Sequence, residues 1–135
     1  MRVFLDTNVL VSAFASRGLC AEVFELALLD HDLILGRNVL RELGRALREK
    51  VKLSIARSEE IVDFVSSEAT QVVAHAEPAI VNVDAADALV LGEAVAGNAD
   101  LFVTGDAALL RLATVGALEI VSPRRFWEVL RAGNR

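Results

Sequence analysis

With only one cysteine, Cys20, the 135-residue chain cannot form an internal disulfide, and the setting RGLCAEVF is that of a small buried side chain. It lacks a proline-rich linker, a repeat and a low-complexity tract, so no domain boundary is visible. No stretch near 18 residues stays apolar without a charge, which excludes a membrane-spanning helix. Basic residues are in deficit as well: 14 Lys and Arg against 19 Asp and Glu leave a net charge of −5. Overall charge therefore cannot grip a nucleic acid. Such binding would need a local basic patch, a metal ion or a partner, or it does not occur.

Apolar side chains, by contrast, are abundant, at 54% of the chain. Disorder is excluded, and the length fits one domain over residues 1–135 with a sizeable core. The apolar excess is accounted for either by an alanine-rich core or by a second chain covering part of the surface. The opening MRVFLDTN puts Asp6 too early for the apolar segment of a signal peptide, so the expected location is cytoplasmic.

Short apolar runs alternate with helical patterns, the punctuation of an α/β domain. RVFL (2–5), DLIL (32–35), TQVVA (70–74), LFVT (101–104) and LEIV (118–121) read as strands. Residues 21–29 read as a helix. Val39, Leu40, Leu43 and Leu47 mark another over 38–49, with Asn38 as its N-cap. Ser58, Glu59 and Glu60 open a helix over 58–68, and a further one spans 85–97. Ser122 and Pro123 begin the last, through Trp127, which is expected to pack within it. Residues 80–83 are an apolar connection without an assignment. Strands separated by helices need crossover connections, so the five-stranded sheet is expected to be mostly parallel. The functional crevice of such a sheet lies beyond the carboxyl ends of its strands.

Four acids fall on that rim. Asp6 follows the first strand, Glu42 lies one turn into the helix after the second, Asp87 opens the helix before the fourth, and Asp106 follows the fourth in VTGDAALL. Taken singly, an aspartate after a strand is more often a turn or cap residue than a catalytic one. Together the carboxylates repel one another and lose water, a conflict relieved by protonation or by a cation. Oxygen-only ligands suit the hard cations Mg²⁺ or Mn²⁺, and His31 and His75 have no partners at ligand spacing. An acid-only site with such a metal can hydrolyse phosphodiesters. Asp84 reads as a cap or outer acid beside Asp87, and Asp100 lies at the wrong end of its strand.

The segments LDTNVLVSAF, VLREL, DAADALVLGEA and ADLFVTGDAALL resemble, in order and spacing, the four motifs of the PIN-domain ribonucleases. The branch they look most like is the VapC-like group of bacterial toxin components. The resemblance implies a three-layer α/β fold, with a twisted sheet in the order 3-2-1-4-5 between helices. It also implies cleavage of single-stranded RNA by a metal-activated water, leaving a 5′-phosphate and a 3′-hydroxyl. Carried over by position, Asp6 and Asp106 would be direct metal ligands. Asp87 would be a ligand or hold a metal-bound water, and Glu42 would orient or deprotonate the attacking water. Asn8 and Thr104 match supporting polar positions. Ala85 stands where the branch often has proline, a change in loop stiffness rather than charge. A toxin implies a small antitoxin partner, and the family commonly forms homodimers.

Arg37, Arg41, Arg45, Arg48 and Lys52 recur at helical spacing and would share one face if the helix reaches 52, a track for an RNA backbone. The plainer reading is a solvated face with Glu49 paired to Arg45. Arg124 and Arg125 are a second basic candidate. A catalytically silent PIN-fold module that binds RNA or protein is the main alternative to a nuclease. A response-regulator receiver would need a lysine after the fifth strand, where Ser122, Pro123 and Arg124 stand. A HAD-type phosphatase would need two aspartates in the opening motif, which reads D-T-N.

Overall fold

The computed structural model describes residues 1–133. Its centre is a run of short strands: β1 (Arg2–Leu5), β2 (Asp32–Gly36), β3 (Gln71–Val73), β4 (Leu101–Val103) and β6 (Leu118–Val121), all paired in parallel. The order β3-β2-β1-β4-β6 is the expected one, with the sixth-numbered strand in the expected fifth place. One strand is additional. β5 (Thr114–Val115) pairs antiparallel with β6 at the sheet edge, through a turn at Gly116 with φ +60. Two residues are too few to show a period in the sequence, so the count rises from five to six.

Val3, Phe4, Leu5, Leu33, Ile34, Leu35, Phe102 and Val103 are each no more than 1% exposed. The near-continuous apolar strands follow from a parallel sheet covered on both faces. Phe4 and Phe102 stack across neighbouring strands with ring centroids 5.4 Å apart. Helices α1 (Thr7–Ala15), α2 (Leu19–Asp30), α3 (Arg37–Glu49), α4 (Ile55–Glu68) and α7 (Pro123–Gly133) pack side by side in the order α7-α2-α1-α3-α4, while α5 (Ala85–Ala96) packs against β2. Connections from β1 toward β3 run one way across the sheet and those from β3 toward β6 run back. With right-handed crossovers, α5 lies on the face opposite α1–α4. The short α6 (Ala107–Leu110) follows β4.

Helix boundaries show where neighbours overrule local sequence. α1 is only nine residues long, with Thr7, Asn8 and Ser12 among its apolar side chains, so its stripe is too short to read, yet Asp6 caps it and Val9 and Leu10 are buried. α3 is capped at Gly36 rather than Asn38, and Asn38 lies in its first turn. The cause is Glu93 of α5, whose carboxylate accepts from the Asn38 backbone N–H (2.7 Å), the Asn38 side-chain amide (3.0 Å) and the Val39 N–H (3.4 Å). α4 starts at Ile55, capped by Ser54, three residues before the expected Ser58. α3 stops at Glu49, and Lys52 leaves the helix at φ 67, so Lys52 does not extend the basic face. No helix among the described residues is long and apolar enough to cross a membrane.

Candidate active site

The strand order changes direction between β1 and β4, and ligands of open α/β sheets bind beyond the carboxyl ends at such a point. A cavity of about 560 Å³ lies there, and Asp6, Glu42, Asp87 and Asp106 all line it. The four residues span a hundred positions of sequence and arrive on four different segments. Thr7, Asn8, Ser12, Arg45, Glu49 and Lys50 also border it.

Asp6 is the most firmly held. It leaves β1 by donating its N–H to Val103 O on β4 (2.9 Å) and caps α1, one carboxylate oxygen accepting from the Thr7 N–H at 2.8 Å. The other oxygen accepts from the buried Thr104 hydroxyl (2.7 Å) and from the Asn8 amide (3.1 Å). Thr104 Oγ1 in turn accepts from the Asp106 N–H at 3.0 Å, and Asn8 Oδ1 accepts from the Gly105 N–H at 2.9 Å. Asn8 and Thr104 thus tie the two central strand ends into one network. Burial pushes the Asp6 carboxyl up, the Thr104 and Thr7 hydrogen bonds pull it down, and the charges of Glu42 and Asp106 raise it again.

The other acids are held more loosely. The Thr7 hydroxyl donates to Glu42 Oε1 at 2.9 Å, joining α1 to α3. Asp106 caps α6 through the Ala108 N–H (2.8 Å). Asp84 caps α5 by accepting from the Asp87 N–H (2.8 Å), which settles its role as a cap. Asp87 is pushed to about 6 by burial first, then by the charges of Asp84, Asp106 and Asp6. Asp100 takes the Arg2 N–H at 2.8 Å, at the amino end of the sheet and away from the cavity.

None of the three ion pairs found among the described residues involves the four cavity acids. Nor are any three His, Cys, Asp or Glu side chains among those residues already gathered as a metal ligand set. The donor set itself, carboxylates with hydroxyl and amide neighbours and no sulfur or imidazole, fits a hard divalent cation.

Of the basic candidates, only Arg45 borders the acidic cavity, and it pairs with Glu49 at 3.3 Å. Arg41 and Arg48 line a separate hollow between α3 and α4, and Arg41 bonds the Asn38 side chain. Arg37 is exposed and borders neither. Lys50 lines the cavity although its position after the last helical residue hid it from a periodicity argument. Glu93 was equally hidden, since an acid inside the apolar α5 carries no motif. Cys20 is half-buried rather than buried, and borders a hollow beside Asp106. His31 is half-buried against Phe126 and His75 is exposed.

A three-layer α/β domain with carboxylates converging at the switch point between β1 and β4 defines the class of protein. The PIN domain family model matches residues 2–108, a span that contains all four acids, and the chain belongs to the PIN domain family. No curated protein matches it. Among solved structures, it is similar to a chain of VapBC2 from Rickettsia felis, bound to a DNA fragment from their promoter. That likeness has 18% identity and a TM-score of 0.66 over 90% of this chain and 98% of the other. It is also similar to a chain of VapBC-1 from nontypeable Haemophilus influenzae, at 15% identity and a TM-score of 0.67 over 92% and 99%. At these identities the likeness is one of fold.

Proposed function

We propose that this PIN-domain protein is a metal-dependent endoribonuclease that cuts single-stranded RNA, and that it is the toxin of a toxin–antitoxin pair. The observation that carries the nuclease reading is the meeting of four unpaired carboxylates from distant segments in one cavity. A structural role would not need them there: crowding costs stability, and only Asp6 and Asp106 cap helices, while Glu42 and Asp87 cap none.

Asp6 and Asp106 would hold Mg²⁺ or Mn²⁺ directly, with Asp87 as a further ligand or as the holder of a bound water. The cation, when bound, would lower the pKa of water and offset charge on the phosphate oxygens. The protein's own work is positioning. Thr104 and Asn8 fix the Asp6 carboxylate, and Thr104 couples it to the Asp106 backbone. Thr7 holds one oxygen of Glu42, and the second is the one assigned to orient the attacking water or accept its proton. Arg45 and Lys50 border the acids on the α3 side and would meet the RNA phosphates there, while Arg41 and Arg48 face the separate hollow toward α4 and Arg37 borders neither.

The toxin reading is supported by the family and by the likeness in fold to chains of VapBC structures. Leu29, Ile55, Phe64 and Ile80 are exposed apolar side chains, a surface suited to a small antitoxin or to a second copy in a homodimer. Such a protein would act in the cytoplasm. The test is cleavage of a mixed single-stranded RNA pool in Mg²⁺, Mn²⁺ or chelator by the unmodified chain, Asp6→Asn and Asp106→Asn. Loss of cleavage in chelator and in both variants is expected. Cleavage that survives either change overturns the metal site, and intact RNA under every condition favours the silent binding module.

A further inference from the structure

The acidic cavity does not end at Asp106. A second hollow of about 400 Å³ shares Asn8, Ser12 and Asp106 with it and adds Cys20, Gly105 and Pro123. A third, of about 420 Å³, is lined by Gly18, Leu19, Glu22, Arg124 and Trp127. Leu19 and Arg124 are the chain neighbours of Cys20 and Pro123, so the third hollow lies beside the second, although the two share no lining residue. Taken as one path, the three make a trough across the carboxyl end of the sheet. It runs from Arg45 and Lys50 on the α3 side, past the acids, to α7.

The far end of this trough differs chemically from the middle. Trp127 is the chain's only tryptophan, there is no tyrosine, and none of the six phenylalanines lines any of these three hollows. Phe126 fills the core position of α7 at 1% exposure, and Trp127, one residue further round the helix, is only half-buried and faces the hollow. The Arg131 guanidinium lies 5.0 Å from its ring centroid, which steadies the ring and adds positive charge. Arg124 has a side chain 69% exposed, and its contact with Glu128 is long, at 3.9 Å. Against these stands one acid of the third hollow, Glu22. An aromatic face beside the Arg124 and Arg131 cations, which face Glu22 and Glu128 as the neighbouring acids, matches what single-stranded nucleic acid meets on tolerant binding proteins. Trp127 and Arg124 also lie beyond residues 2–108, the part matched by the family.

We propose that the trough carries the single strand onward from the acidic cavity, with a base stacked on Trp127 and a phosphate on Arg124. The identity of the ligand rests on the ribonuclease reading, but the subsite can be tested apart from cleavage. Trp127 is the sole source of tryptophan emission, so the full-length Asp6→Asn chain in Mg²⁺ can be titrated with a 5′-labelled single-stranded RNA of about twelve nucleotides. Emission and label anisotropy are followed together. Saturable quenching that tracks the anisotropy is expected, with about tenfold weaker binding after Trp127→Ala and most of it restored in Trp127→Phe. Arg124→Ala should weaken binding and reduce its salt dependence by about one counterion. Abasic RNA, which leaves the protein unaltered, should quench less, so the test survives even if Trp127→Ala fails to fold.

RNA that binds by anisotropy while emission and the Trp127→Ala and abasic affinities stay unchanged overturns the subsite and leaves the nuclease reading intact. Quenching by RNA that the unmodified chain cannot cut supports the subsite and overturns the nuclease reading. No RNA binding at all overturns the subsite, and quenching by a protein partner instead would reassign the trough to that partner.

Discussion

Two carboxylates among the described residues are buried, Asp6 at 6% exposure and Glu93 at 2%, and each holds the start of a helix. Burial raises both above the ordinary carboxylate range. They part in what surrounds them. Both use their two oxygens as acceptors, but the Glu93 carboxylate, held by the Asn38 and Val39 N–H groups and the Asn38 amide, is closed over by the backbone of Gly36. Asp6 borders an open cavity and faces the charges of Glu42 and Asp106. Burial and a raised pKa therefore do not identify a functional acid. What sets Asp6 apart is its place on an open cavity with two acidic neighbours, where Glu93 feels Glu42 alone.

The sharpest way to break the comparison is Asp6→Asn. It removes a charge from the crowd while keeping an oxygen for the Thr104 hydroxyl. We expect RNA cleavage to fall by at least about a hundredfold, beyond the range seen when only a supporting residue of a metal site is lost. Thermal stability of the metal-free chain should hold or rise. A large fall in Tm with activity spared would make Asp6 a second Glu93.

Glu93→Gln should do the reverse. Its carboxylate accepts charge-assisted bonds from the first turn of α3, and an amide would turn one N–H toward another. The loss is about 2 kcal/mol of stability, read by denaturant unfolding, with a smaller effect on cleavage through displacement of Glu42. Gly36→Ala tests the same contact from the other side, because a Cβ there would lie 2.1 Å from the Glu93 carboxyl carbon. Stability unchanged in both variants would mean α3 does not depend on this clamp.

The contrast between these two acids also measures what the sequence could reveal. Asp6, Glu42, Asp87 and Asp106 were legible because strand ends in a parallel sheet meet on one rim whatever the packing, and VTGD or LDTN carries its acid at a fixed distance from a strand. Glu93 was not legible: its partners lie 54 and 55 positions away, and nothing local calls for an acid inside an apolar helix. The same cause moved the α3 cap from Asn38 to Gly36. α1 was missed because nine residues make too short a stripe to read, and β5 because two residues have no period. Trp127 was rightly placed in the last helix, but its open side depends on α2, which sequence spacing cannot supply.

A third test turns on pH. Asp87 is pushed to about 6 from an ordinary 3.8, so between these values the folded chain holds more protons than the unfolded one. The stability this group contributes in the metal-free protein is fully present below about 3.8 and is lost as pH rises through about 6. The Tm in chelator should therefore fall from pH 5 to pH 7, with Asp6 and Glu93 acting in the same direction. Asp87→Asn should flatten that slope. Mn²⁺ should reverse it, since the cation binds the ionised form. A Tm profile that is flat in chelator and insensitive to Asp87→Asn would show that the acids are not crowded in solution.

The smallest expected effect concerns the border of the cavity rather than the acids. Arg45 lines the cavity and pairs with Glu49, but side-chain exposures of 72% and 61% make that pair worth no more than about 0.5 kcal/mol. Arg45→Ala should thus leave Tm unchanged within a degree or two. Its role toward RNA predicts a separate signature: a several-fold rise in KM, with little change in kcat, and a salt slope reduced by about one. Arg37→Ala, which removes the same charge from the same helix at a place that borders no part of the trough, is the control. Equal effects from both would mean the helix acts through its general field. A larger effect from Arg45 places the backbone of the RNA at the edge of the acidic cavity, on the side opposite Trp127.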